Sequence, residues 1–298
     1  NFSMHHNETY KKLAKSRLDE VKDWSTYFGY VYLCYYRAPT SNKINLRGIT
    51  MKKLLFILVA VFSASIVAQD EMKHEPVANK AEYYIGSFND RKDMDDLMKW
   101  ASNHQDWLNG SELYDSMATS ILVPYFINDT SRHDVVWLNI WPSATEQYAG
   151  LENWLKNGGS QLSKLPITNS QVVDTWQWAV SEPEGEGSVG MVRYSDCKLK
   201  DGVTGLQAFN EIKEFAIAAR AKGDNLGRKM IFPSAGGTEG DYDYVYALYA
   251  NNASELGSGA DLYWDKINGS EEDLALNEVI DSCSNYRIYS SMQIRTAK

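Results

Sequence analysis

The sequence predicts an α+β protein made of two tandem copies of one β-α-β-β-α-β unit. Three observations carry this: an element order that occurs twice, residue matches between the copies at a nearly constant offset, and a Glu- and Gly-rich linker between them. Residues 69–80 are polar and without period and read as a tether, so the first unit opens at Ala81 and runs to about residue 182. A short strand is expected over 83–88. From 90 to 109 the apolar residues Met94, Leu97, Trp100, Ala101, Trp107 and Leu108 recur at helical spacing until Asn109-Gly110 stops the run. Strands follow over 116–126 and 134–141, the second alternating Val135, Trp137, Asn139 and Trp141 against Val136, Leu138 and Ile140. A helix over 144–156 ends at Asn157-Gly158-Gly159, and a strand over 172–180 closes the unit.

After the linker 181–187 the order repeats over 187–296. A strand is expected at 190–194. A helix is expected at 204–221, with Leu206, Phe209, Ile212, Phe215 and Ala216 on its apolar face. Strands at 229–233 and 243–250, a helical or irregular stretch to Asn268-Gly269, a short helix at 274–281 and a strand at 286–294 complete it. An offset of 109 lays Pro124 on Pro233, Asp134 on Asp243, Val136 on Val245, Glu146 on Glu255 and Gly150 on Gly259. It also lays Leu97 on Leu206 and Trp100 on Phe209, and sets Lys213 opposite His104. An offset of 106 lays Phe88-Asn89-Asp90 on Tyr194-Ser195-Asp196, so three residues are expected to be inserted ahead of the second unit's first helix.

Residues 51–68 have a basic start (Lys52-Lys53), an apolar run over 54–61 and small residues ending at Ala68, the three parts of a secretory leader. The run is shorter than the roughly 20 apolar residues that span a bilayer. Cleavage after Ala68 and a periplasmic or secreted location are the expectation. Residues 1–50, which begin with Asn1 and carry aromatic residues without a period, are read as translation upstream of Met51. Residues 69–298 then hold 20 basic against 35 acidic residues, a net charge of −15. Such a surface repels nucleic acid and anionic lipid, and no stable membrane anchor is expected.

The β-α-β-β-α-β order is the ferredoxin-like unit, an antiparallel sheet with both helices on one face. Two such units can cover their open faces by packing sheet to sheet as a pseudo-dimer. This layout over 81–296 resembles the dimeric α/β-barrel superfamily of small monooxygenases, stress-responsive barrels and haem-handling proteins. The resemblance implies a ligand cavity between helices and sheet within one repeat, and a monomer, because one chain already holds both halves. Cys197 and Cys283 are the two cysteines beyond residue 68. By count they read as one disulfide or as two thiols. The fold adds that the first and last strands of a unit are neighbours, which favours the disulfide.

No HExxH, CxxC or other closely spaced ligand set occurs, so no metal or other cofactor is expected. Haem-handling relatives use a histidine from a helix, and residues 187–296 contain none. His104 falls on the sheet-facing side of its helix, four residues from Trp100. It is read either as a general base or pocket hydrogen-bonder or as a half-buried structural histidine. Trp137, Trp141, Trp176 and Trp178, continued by Tyr244 and Tyr246, lie on same-face strand positions. They line a cavity for a flat or apolar ligand or else fill the interface between the two sheets. Asn139 and Asp174 on those strands favour a cavity, and Asp174 joins His104 as a catalytic candidate. Three functions remain, in this order: an exported binding protein for a small apolar or aromatic molecule, a cofactor-independent monooxygenase- or isomerase-like enzyme, and a structural or interaction domain.

Overall fold

The computed structural model describes residues 76–187, 189–237 and 240–298. The leader at 51–68, the residues ahead of it and 69–75 of the tether lie outside the described residues. In the first repeat β1 (Ala78–Phe88) leads into α1 (Met94–Asn109), then β2 (Ala118–Phe126), β3 (Val135–Trp141), α2 (Ala144–Asn157), the single turn α3 (Gly159–Leu162) and β4 (Ile167–Ser181). In the second, β5 (Gly190–Leu199), α4 (Gly205–Ala221), β6 (Gly227–Ala235), β7 (Tyr244–Ala250), α5 (Ala253–Leu262), α6 (Glu271–Val279) and β8 (Ile280–Arg295) follow in the same order. The helix starts are chemically marked. Asp93, Ser143, Thr204 and Asn252 each accept the backbone N–H three residues on, and Gln207 completes a capping box with Thr204.

The strands close into one antiparallel barrel in the order β1-β3-β2-β8-β5-β7-β6-β4. Each repeat supplies four adjacent strands, and the pairs β2·β8 and β4·β6 join the repeats edge to edge. The two sheets thus share their edges as well as facing one another. Both joins carry a bulge at the same place, after Pro124 and after Pro233, which suits residues with no N–H for the ladder.

Two aspartates fix the internal symmetry. Asp134 accepts the Phe88 backbone N–H at 2.8 Å, and Asp243 accepts that of Leu199 at 2.7 Å. Phe88 therefore corresponds to Leu199, an offset of 111 rather than 106, and β1 lies on β5 with Tyr83 opposite Tyr194. The same offset carries through α1. Its buried Leu97, Ala101, His104 and Leu108 fall on the buried Ala208, Ile212, Phe215 and Ala219 of α4. The counterpart of His104 is thus Phe215, not Lys213. Leu206 faces solvent instead of the sheet. The stretch from the start of α1 to the start of β2 is two residues longer than that from the start of α4 to the start of β6, so the offset falls to 109 from β2 onward.

Several strands are longer than the sequence indicates. β1 starts at Ala78 inside the expected tether, and β5 and β8 extend far enough to contain both cysteines. Cys197 and Cys283 are direct register partners and form a disulfide. Inward side chains, among them Leu122, Val136, Leu138, Ile231, Val245 and Ala247, fill the barrel, and outward ones pack under helices as separate clusters in each repeat. Among the described residues no helix is long and apolar enough to cross a membrane.

Candidate functional site

Beneath α1 and α2 the outer face of the first repeat's sheet leaves a cavity of about 120 Å³, walled by Trp100, His104, Tyr114, Trp137, Trp141 and Trp154. Residues 97, 100, 101, 104 and 108 form the buried stripe of α1, so Trp100 and His104 project toward the sheet one turn apart. β3 alternates, so Trp137, Asn139 and Trp141 meet them from below. Gly150 lets α2 approach. A Cβ there would lie 2.4 Å from Cη2 of Trp141.

The imidazole of His104 stacks on Trp100 (centroids 4.6 Å apart, 18° between planes) and on Trp107 (5.7 Å, 12°), and it meets Trp137 and Trp154 edgewise. Burial in this apolar cage, with a smaller contribution from the Arg295 charge, lowers its pKa to about 4. His104 is therefore neutral at pH 7. Its Nδ1 is buried with no hydrogen-bond partner among the described residues, a costly state that a ligand donor would relieve.

The polar wall centres on Glu82, a buried carboxylate on β1. Its Oε2 accepts from Tyr84 Oη (3.3 Å), Asn139 Nδ2 (3.3 Å) and Trp141 Nε1 (3.4 Å), and Gln147 Nε2 reaches Oε1 at 3.0 Å. Asn139 Oδ1 in turn takes the indole N–H of Trp137 at 2.9 Å and the Thr119 hydroxyl at 3.1 Å. The bonds of Glu82 and Asn139 are thus satisfied, and His104 Nδ1 and Asn169 Oδ1 are the buried atoms of the lining residues left without a partner among the described residues.

Of the residues singled out by sequence, Trp100, His104, Trp137, Asn139 and Trp141 come together here. Trp178 and Tyr244 do not. They lie under α4 with Phe209, Met230 and Phe232, filling the equivalent layer of the second repeat, and Tyr246 packs against them. Nor do the tryptophans form the sheet-to-sheet interface, since they stand on the outer face. Trp176 is half-exposed, with the Lys80 ammonium 4.5 Å above its ring. Asp174 is not a wall of the cavity. Its Oδ2 pairs with Lys80 at 2.6 Å, and its Oδ1 accepts from Gln147 at 2.8 Å. Burial pushes its carboxyl up, but bonds from Lys80, Ser234 and Gln147 outweigh that and hold it below the usual carboxylate range. Sequence does not indicate Glu82, Tyr84, Tyr114 or Trp154. Glu82 falls one residue ahead of the expected strand, and Tyr114 sits in a turn where periodicity is silent.

No protein-family model matches the chain, and no curated protein matches it. Among solved structures it is similar to chlorite dismutase from Candidatus Nitrospira defluvii in complex with imidazole, at 8% identity and a TM-score of 0.45, covering 76% of this chain and 94% of that one. It is also similar to a haem-binding protein from Thermus thermophilus, at 10% identity and a TM-score of 0.40, covering 75% and 96%. Haem does not fit this cavity. About 120 Å³ is well below the roughly 300 Å³ at which pockets begin to enclose drug-sized ligands, and the one imidazole in it is covered by indoles.

Proposed function

We propose that the protein is an exported, monomeric binding protein that takes a small aromatic molecule with one hydroxyl donor beneath the helices of its first repeat. The observation that carries this is the neutral His104, a wall residue of an aromatic cavity, whose Nδ1 has no hydrogen-bond partner among the described residues. An apolar cavity of about 150 Å³ accepts benzene, so a volume of about 120 Å³ suits a single ring. The matching layer of the second repeat, where Phe215 replaces His104, is packed with its own side chains. One site of this kind per chain is the expectation. A cofactor-independent enzyme has less support, because Asp174 is engaged by Lys80 and outside the cavity. A purely structural role leaves the unpartnered His104 unexplained.

The test is titration with phenol and with toluene, followed by tryptophan fluorescence, on the protein expressed from Met51 and recovered without denaturation. Phenol should bind one per chain. His104→Phe, which copies the second repeat, should weaken phenol about tenfold while leaving toluene nearly unchanged, since only a hydrogen bond is lost. Equal loss for both ligands, or no binding of either, would refute this role for His104. The intact mass of the same sample checks cleavage after Ala68, and light scattering checks the monomer.

A further inference from the structure

A second hollow, of about 220 Å³, lies inside the barrel at the end where the β2–β3 and β6–β7 connections gather. Its wall combines residues from both repeats, and the internal symmetry shows where they have diverged. Tyr83 and Tyr194 occupy equivalent positions and meet edge to face at 6.3 Å. Ile85 has Asp196 as its counterpart. Val173, the register partner of Tyr83, corresponds to Arg287, the register partner of Tyr194. Thr175 likewise corresponds to Tyr289, by their pairing with Ala81 and Val192.

One side of the lumen is therefore apolar and the other carries an ion pair. Arg287 Nη1 lies 2.8 Å from Asp196 Oδ1, and Asn285 Nδ2 donates to Asp196 Oδ2 at 2.7 Å. The pair is partly exposed, with 25% of the Arg287 side chain and 15% of the Asp196 side chain open to solvent, where the first repeat has valine and isoleucine. The guanidinium has five N–H donors, and its two bonds among the described residues, to Asp196 and to the Asn285 carbonyl at 2.9 Å, both come from Nη1. Arg287 also lies over the Tyr194 ring, 5.7 Å from its centre. Across the mouth, His133 stacks on Tyr289 and holds its hydroxyl at 3.3 Å. Among the lining residues the formal charges are Arg132 and Arg287 against Asp196, a net positive patch in a strongly acidic chain.

We propose that the barrel lumen is a second binding site, for a small aromatic carboxylate, with its ring against Tyr83, Val136 and Val245 and its carboxylate on Arg287. Its volume exceeds that of the first cavity by enough to hold a ring and a carboxylate together. Asp196 acts as a positioning residue, holding the guanidinium by one nitrogen and leaving the others to the ligand.

Calorimetric titration with benzoate tests this. The protein should bind one benzoate, and saturating phenol should not displace it. Benzyl alcohol, which lacks the charge, should bind about tenfold or more weakly, and Arg287→Met should weaken benzoate by a similar factor, the worth of a charge-assisted bond. Val173→Trp, which fills the apolar wall and leaves the ion pair intact, should abolish binding and guards against an Arg287 variant that fails to fold. Absence of saturable benzoate binding, benzyl alcohol bound as tightly, or unchanged affinity in a folded Arg287→Met or Val173→Trp protein would each overturn the proposal.

Discussion

Replacing His104 with phenylalanine isolates one titration and makes its contribution to stability measurable. The imidazole has a pKa of about 4 in the fold against an ordinary value of 6.5 in the unfolded chain. Below pH 6.5 the unfolded state therefore takes up a proton that the folded state refuses, so stability falls as pH falls. The loss accumulates between pH 6.5 and about 4 and is complete below that. At about 1.4 kcal/mol for each tenfold in proton affinity, it reaches about 2 kcal/mol at pH 5 and about 3 kcal/mol at pH 4. Phenylalanine does not titrate and occupies the same place in the second repeat. Urea unfolding of both proteins at pH 7, 6, 5 and 4 gives the difference in stability directly. Contributions from His133 and the carboxylates are common to both proteins and cancel. The difference should move in favour of the variant by about 3 kcal/mol over this range. A difference that stays constant within about 0.5 kcal/mol would show that His104 titrates normally and that the aromatic cage does not exclude its charge.

Three further outcomes are expected. Gly150→Ala puts a methyl 2.4 Å from the Trp141 ring and should destabilise by about 1–3 kcal/mol and weaken phenol binding, read by urea unfolding and titration. Cys197→Ser with Cys283→Ser removes a bridge across a sequence separation of 86 and should lower stability by up to about 4 kcal/mol, measured against the oxidised parent. Asp224 and Arg228 form a buried pair at 2.6 Å, so Arg228→Met alone should cost about 3–5 kcal/mol, and adding Asp224→Asn should recover much of it. Equal stability of the single and double variants would show that the pair is not coupled.

The element order and the disulfide are legible because each has a local signature: alternation, helical spacing, glycine stops, and an even pair of cysteines on neighbouring strands. The start of β1 is not. Asn79 and Lys80 look like tether, and Glu82 falls just short of the expected strand. Yet β1 has β3 on one side and β4 on the other, and α2 lies over its outer face, so Lys80 and Glu82 are buried. The frame of the first strand is also misleading in sequence. Aromatic and aspartate matches at an offset of 106 arise by chance, whereas the hydrogen bonds of Asp134 and Asp243 show the true one. Trp178 looks like a neighbour of Trp137 because period two tells the face of a sheet, not the layer above it. β4 is long enough to lie under α1 at Ile167 and under α4 at Trp178, and sequence pattern has no record of that crossing.

The way the barrel closes makes each repeat the lid on the other's open ladders. β2 and β4 would be the edge strands of an isolated first repeat, and β6 and β8 those of the second. Cleavage at Gly185, in the connection between them, should therefore leave two fragments that stay associated. Either fragment made alone would present two unsatisfied edges, and the cheapest way to cover them is a second copy of itself. One polypeptide thus does for itself what two separate fragments would have to do by association.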